Sequence, residues 1–358
     1  MNLNFQPRRA VSRLLRRQQH DTPDALRRRA DQCFAKGDNA AGLRALLALA
    51  DLQDPDIALR LGECYERGIG VIPNFVTAVH WYEQAAGRGS VTAMSRLGDI
   101  YLSGRVVPIG NSAVSGTESD PAVLGYNRLR PEGRSVPQDW GKAFRWNMAA
   151  AEQGDAEAQA RLGSQFIAGM GVGKDLAQGE RWFRASAGQG CAAGQFGLGA
   201  LYAGTNGGEA AGLLEKAAAQ GNPLAKLSLA VLLIAGQGVP VDRARAAKLL
   251  TDAAEAGNTE AMFRLGEVYR SRDFAGRNFA LAETWLRRAG TRGHTPALLA
   301  LACLLVDDLA VPDYDSAAII LREAANRGNV GARRALEHIK LVETPTSAET
   351  STGQAPQE

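Results

Sequence analysis

The side chains best suited to metal binding or nucleophilic chemistry are few in this chain. There are four histidines (His20, His80, His294 and His338) and four cysteines (Cys33, Cys64, Cys191 and Cys303). A zinc site needs ligands at short spacing, as in CxxC or HxxxH, so that one turn or helix face presents two of them. Neither spacing occurs. GxSxG, a Walker A loop and a glycine fingerprint after a strand are also missing, so no nucleophile elbow or phosphate cradle is predicted. The GxG turns, GIGV (68–71), GMGV (169–172) and GQGV (236–239), join one helical pattern to the next and read as tight turns. The expectation is therefore no catalytic residue, no metal and no cofactor. The cysteines read as small buried hydrophobes in a reducing compartment.

Charge narrows the partners. A net charge of +3 over 358 residues calls for no nucleic acid. Lys occurs only at 36, 142, 174, 216, 226, 248 and 340, so Arg supplies most of the 41 basic residues, a bias that suits a GC-rich bacterial gene. Residues 1–23 form a basic leader with Arg8, Arg9, Arg13, Arg16 and Arg17 beside Val11, Leu14 and Leu15. It has no apolar stretch of the secretory kind and reads as solvated and disordered, with contact to an anionic membrane surface as the alternative. A cytoplasmic location is expected. The Arg-rich, acid-poor start leaves an organellar address as a weaker one.

Any site must be positioned by the elements around it, and those repeat. A glycine closes each repeat: Gly89, Gly154, Gly190, Gly221, Gly257, Gly293 and Gly328. Eight residues earlier stands a large apolar residue, Trp81, Trp146, Trp182, Leu213, Leu249, Trp285 or Ile320, with small residues three before and four after it. Those offsets share one helix face, so the tryptophans read as core knobs of a second helix. A first helix carries Leu61, Leu97, Leu162, Leu198, Leu229, Leu265 and Leu301. The next residue is Gly62, Gly98, Gly163, Gly199 or Gly266 in five repeats and Ala in the other two. Glycine inside a helix costs about 1 kcal/mol against alanine. Its recurrence predicts that the neighbouring helix comes too close for a β-carbon.

The pattern LGxxYxxGxGV, followed after about ten residues by WYxxAAxxG, resembles the SEL-1-like repeat family, a relative of the tetratricopeptide repeats. The resemblance covers residues 55–328, about three-quarters of the chain, as seven repeats. It implies an all-α fold: a right-handed superhelical solenoid of antiparallel helix pairs with the first helices on the concave side. It also implies adaptor work in assembling protein complexes. Some relatives carry a cysteine pair in each repeat and are linked to β-lactam binding; this chain lacks those pairs, and that activity is not carried over. Residues 24–54 read as a degenerate helix pair, 329–341 as a capping helix and 342–358 as a disordered tail. The second repeat holds an insertion at about 105–133, in which Tyr126, Arg128 and Arg130 are candidate partner contacts.

The functional expectation is a non-catalytic scaffold that binds a protein or peptide segment. The alternative is a regulatory subunit of a catalytic partner such as a polysaccharide synthase or signalling kinase. Family geometry puts positions −2, +2 and +5 from the repeated leucine on the concave face. These include the acidic Glu63, Glu66 and Asp99, and then Ile167, Phe196, Ala200, Ala203, Leu227, Val231 and Ile234, read as one contiguous, solvent-lined apolar stretch. The insertion is expected to be separable from the fold. Replacing residues 107–132 with a short Gly/Ser bridge should keep cooperative unfolding and slightly raise the helical circular-dichroism signal per residue. Loss of cooperativity would make the segment part of the stack.

Overall fold

The computed structural model describes residues 22–105, 135–309 and 311–343. Its regular elements are helices. They are α1 (Pro23–Ala35), α2 (Asn39–Ala48), α3 (Pro55–Arg67), α4 (Phe75–Ala86), α5 (Val91–Ser103), α6 (Trp140–Glu152), α7 (Ala156–Ala168), α8 (Leu176–Gly188) and α9 (Ala192–Tyr202). They continue with α10 (Gly207–Ala219), α11 (Pro223–Ala235), α12 (Arg243–Glu255), α13 (Thr259–Arg270), α14 (Phe279–Thr291), α15 (Thr295–Cys303), α16 (Tyr314–Asn326) and α17 (Val330–Glu343). A π-helix over Leu304–Asp308 extends α15. The chain divides into two compact units, residues 1–198 and 199–358, with the division inside α9. In each, helices pack with their sequence neighbours as antiparallel pairs.

Turn chemistry fixes those pairs. All seven closing glycines have positive φ, from 82° at Gly190 to 96° at Gly257. With the chain held there, the next residue's N–H reaches back to the carbonyl five positions before it: Ser90 to Ala85 (3.1 Å), Asp155 to Ala150 (3.1 Å), Asn258 to Ala253 (3.0 Å). This is the bonding that satisfies a helix end when its last residue turns left-handed. The residue after the glycine then caps the following first helix. Ser90, Asp155, Asn222, Asn258, His294 and Asn329 each accept the N–H of the residue three further on. Such caps are worth about 1 kcal/mol each. Second helices start on Asn74, Asp139, Asp175, Asn206, Asp242, Asn278 and Asp313. Their own N–H groups bond the carbonyls of Tyr65, Tyr101, Phe166, Tyr202, Leu233, Tyr269 and Leu305, tying each second helix to the first.

The predicted close approach is present, but the large residue meeting the glycine is one position later than expected. A β-carbon on Gly62 would lie 2.5 Å from the Tyr82 ring, and one on Gly163 would lie 2.8 Å from Phe183. The other partners are Asn147 for Gly98, Leu214 for Gly199 and Leu286 for Gly266. The preceding knob is buried at Trp81 and Trp285 and only half-buried at Trp146 and Trp182. Phe183 also meets Gly197 of the next first helix, so one ring fills two helix contacts. The second glycine of GxGV serves a different seam. A β-carbon on Gly171 would sit 2.1 Å from the backbone oxygen of Trp140, where α6 of the preceding pair begins.

One pair departs from the apolar rule. Asn147 on α6 is fully buried, where other second helices place Tyr, Phe or Leu. Its amide donates to Gln165 (2.8 Å), which donates to the Met170 carbonyl (3.2 Å). Arg161 donates to Asn147 (3.1 Å) and to the carbonyl (3.1 Å) and hydroxyl (2.5 Å) of Ser95. Ser95 in turn donates to Asp155 (3.0 Å), the cap of α7. The network links α5, α6 and α7. The pair α5–α6 is the one the insertion interrupts, and antiparallel bonds between Arg105 and Val136 (2.8 and 2.7 Å) close its neck.

Phe183→Ala should cost about 3–5 kcal/mol, as for other buried aromatic truncations. The half-buried Trp182→Ala should cost less. Gly163→Leu should lower Tm more than Gly163→Ala, because the extra bulk enters the Phe183 contact. Thermal melts of the four variants check the order.

Candidate partner-binding face

In the unit of residues 1–198, two of the three acidic positions are engaged. Glu66 accepts the Tyr82 hydroxyl at 2.5 Å, and Asp99 pairs with Arg105 at 2.5 Å. Glu63 is half-buried. Ile167 on α7 is half-buried, with its side chain in the space a β-carbon on Gly179 would occupy. Phe196 on α9 is also half-buried. In the unit of residues 199–358, Ala200 is exposed and Ala203 half-buried, while Leu227, Val231 and Ile234 form a half-buried stripe along α11. The large apolar residues are thus partly covered by their neighbours rather than fully open to solvent. Tyr126, Arg128 and Arg130 lie outside the described residues.

The same register continues into a cavity that the sequence reading did not single out. It has a volume of about 610 Å³, and it lies within the second unit. Ile234, Phe263 and Val268 supply apolar lining, and Arg243, Arg270 and Arg272 supply charge. Phe263, Glu267 and Arg270 are the −2, +2 and +5 positions from Leu265, so the spacing rule could have found them. The π-helix was not legible. It carries Asp308 to within 3.4 Å of Arg270, and the Asp308 side chain is only 13% exposed. Arg270 also pairs with Glu267 (3.4 Å). Next to the cavity, His294 Nδ1 accepts the Ala297 N–H, so Nε2 carries the proton facing Glu260 at 2.9 Å. Burial disfavours the Glu260 carboxylate, but hydrogen bonds from Arg264 and His294 outweigh it and lower its pKa.

Buried acids elsewhere are held protonated. Burial pushes the Cys64 thiol up to about 11. Burial, with the charges of Glu83 and Asp139, pushes Tyr101 up to about 12. Burial and the Glu66 contact raise Tyr82 further. A protonated thiol is a poor nucleophile. Among the described residues, no three His, Cys, Asp or Glu side chains converge as a metal site would require, and no helix is long and apolar enough to cross a membrane.

The Sel1 repeat model matches residues 55–90, 91–110, 124–155, 156–191, 192–222, 223–258, 259–294 and 295–329. The chain belongs to the Sel1 repeat family. The second and third matched segments hold α5 and α6, the two helices on either side of the insertion. The fold is similar to that of a protective antigen present in uropathogenic Escherichia coli strains, which displays an SLR fold. That likeness has TM-score 0.70 at 23% identity and covers 96% of this chain and 68% of that one. A Sel1 repeat protein from Oxalobacter formigenes is similar at TM-score 0.57 and 23% identity, over 73% of this chain and 94% of that one. An uncharacterized protein of Neisseria meningitidis serogroup B is 28% identical over 127 residues, 35% of this chain. The chain matches about a quarter (27%) of that relative's length. The all-α solenoid of helix pairs is therefore the fold, as the repeat spacing predicted. Sel1 repeats of this kind generally act as protein-interaction scaffolds and are typically non-catalytic.

The raised acids set an alkaline limit on stability. Their folded pKa values exceed the ordinary 9.0 of a thiol and 10.0 of a phenol, so the unfolded chain loses these protons first. Their contribution is fully present at neutral pH, starts to fall near pH 9 and is lost as pH rises through about 11 and 12. Melts from pH 7 to 12 should show this decline, and Tyr101→Phe should make it shallower.

Proposed function

We propose that this Sel1-repeat chain is a non-catalytic scaffold that binds a protein or peptide segment along its first-helix face. The observation that carries the reading is the apolar stripe of Leu227, Val231 and Ile234 on α11. The same face in the other unit presents Glu63, Glu66 and Asp99. Repetition holds the helix spacing constant while these outward positions change, which is how a repeat array presents a partner surface. Half-buried apolar side chains at i, i+4 and i+7 suit a partner helix or extended segment laid along them. All four cysteines are free, which suits a reducing, cytoplasmic setting.

The test pairs Leu227→Gln with Val231→Gln. Wild-type helicity and a Tm within a few degrees are expected, together with loss of the proteins recovered by pull-down and mass spectrometry. Recovery of the same proteins by the double variant would remove the face from the binding surface.

A further inference from the structure

The cavity lined by Ile234, Phe263 and Val268 has an uneven store of unused hydrogen-bonding groups. Its acidic side is mostly committed, since Glu267 and Asp308 both pair with Arg270. Among the described residues, Asp307 is the one lining carboxylate without a partner. The basic side is less committed. Arg264 is engaged, since it bonds Glu260 through Nε (2.7 Å) and lies over the Phe263 ring (5.6 Å to its centroid). Arg243 has one long pair, 3.7 Å, to an exposed Asp273. Arg272 is exposed and has no partner among the described residues. Arg243 and Arg272 thus keep spare donors in a cavity that holds one free carboxylate and an apolar lining.

We infer that this cavity takes an acidic peptide segment, with an apolar side chain seated on Ile234 beside Phe263, whose ring is stacked on His294 (4.7 Å between centroids), and an adjacent carboxylate held by Arg272 and Arg243. The inference rests on the scaffold reading and gives that partner its chemistry. A guanidinium fork matches a carboxylate with two parallel charge-assisted bonds, which a neutral amide does not reproduce. A basic segment would meet two under-used cations, Arg243 and Arg272. A nucleic-acid strand would bring successive phosphates against Glu267, Asp307 and Asp308, whereas a short acidic stretch needs to reach only the arginines. The cavity adjoins the α11 stripe at Ile234, so a chain lying on Leu227 and Val231 can continue into it. The π-helix shapes this site by bringing Asp308 to Arg270, which fixes one wall and leaves Arg243 and Arg272 for the ligand.

The probe is a phage-displayed library of random dodecapeptides selected on the full chain. The selected peptides are then synthesised with a fluorophore and titrated by anisotropy. Selected sequences should place Asp or Glu next to an apolar residue. Arg243→Glu combined with Arg272→Glu should keep the wild-type melt and weaken binding by roughly tenfold or more, the scale of a lost charge-assisted bond. Peptides that lack acidic residues, or that bind the double variant as tightly as wild type, overturn the inference. So does a labelled single-stranded oligonucleotide that competes for the same arginines, and so does a selection that yields no peptide. The scaffold reading is judged separately. If binding survives the arginine reversals but falls with Leu227→Gln and Val231→Gln, the face stands and the acidic site does not.

Discussion

In five of the seven repeats, the distance between the two helices of a pair depends on an omitted β-carbon. Gly62, Gly98, Gly163, Gly199 and Gly266 leave room for Tyr82, Asn147, Phe183, Leu214 and Leu286 to press against the first-helix backbone. An interior glycine weakens its own helix by about 1 kcal/mol. The buried aromatic or aliphatic group it admits contributes more than that. Once this spacing is set, the remaining geometry follows. The second helix must begin where its capping N–H can reach the first helix's carbonyl, at Tyr65, Phe166 or Leu233, and end where a left-handed glycine can turn the chain.

That dependence explains what the sequence made legible. Glycine, leucine and alanine recurring at fixed offsets are direct traces of steric limits, so the helix pairs, the closing turns and the close approach could be read from spacing alone. Reading the tryptophans as core knobs holds for the buried Trp81 and Trp285 and fails for Trp146 and Trp182, because a bulky apolar side chain satisfies the periodicity at either of two adjacent positions. Burial separates them: Phe183 is 6% exposed, while Trp182 is half-buried. The candidate face was less legible. Spacing located Leu227, Val231 and Ile234, but neighbouring side chains decide how much of each stays open. The charged cavity depends on a π-helix over Leu304–Asp308, and five residues in a widened turn leave no periodic mark. Such widened turns recur at functional sites in other proteins.

The two sides of each pair obey different rules. At three of the turns that meet the preceding pair, residue size is limited to within a methyl group, because backbone atoms lie opposite Gly70, Gly171 and Gly238. Away from it, the same helices carry carboxylates in one place and branched aliphatics in another. The outward set varies more than the inward one, but the two still touch: Glu66 accepts the hydroxyl of the core Tyr82, and Ile167 fills the space beside Gly179.

The partly buried chain from Asp155 through Ser95, Arg161 and Asn147 to Gln165 has a consequence for modularity. Apolar seams between repeats are nearly interchangeable, because leucine against alanine packs much the same wherever it recurs. A seam made of directional donors and acceptors accepts only its own complement, and an unmatched buried polar group costs about 1–3 kcal/mol. The α5–α6–α7 junction thus behaves as a keyed joint, and buried Gln159 and Ser186 carry directional bonding on into α8. Repeats could be duplicated, deleted or shuffled elsewhere along the chain with modest penalty. A recombination cut through this junction would part Asn147 and Arg161 from the partners that satisfy them.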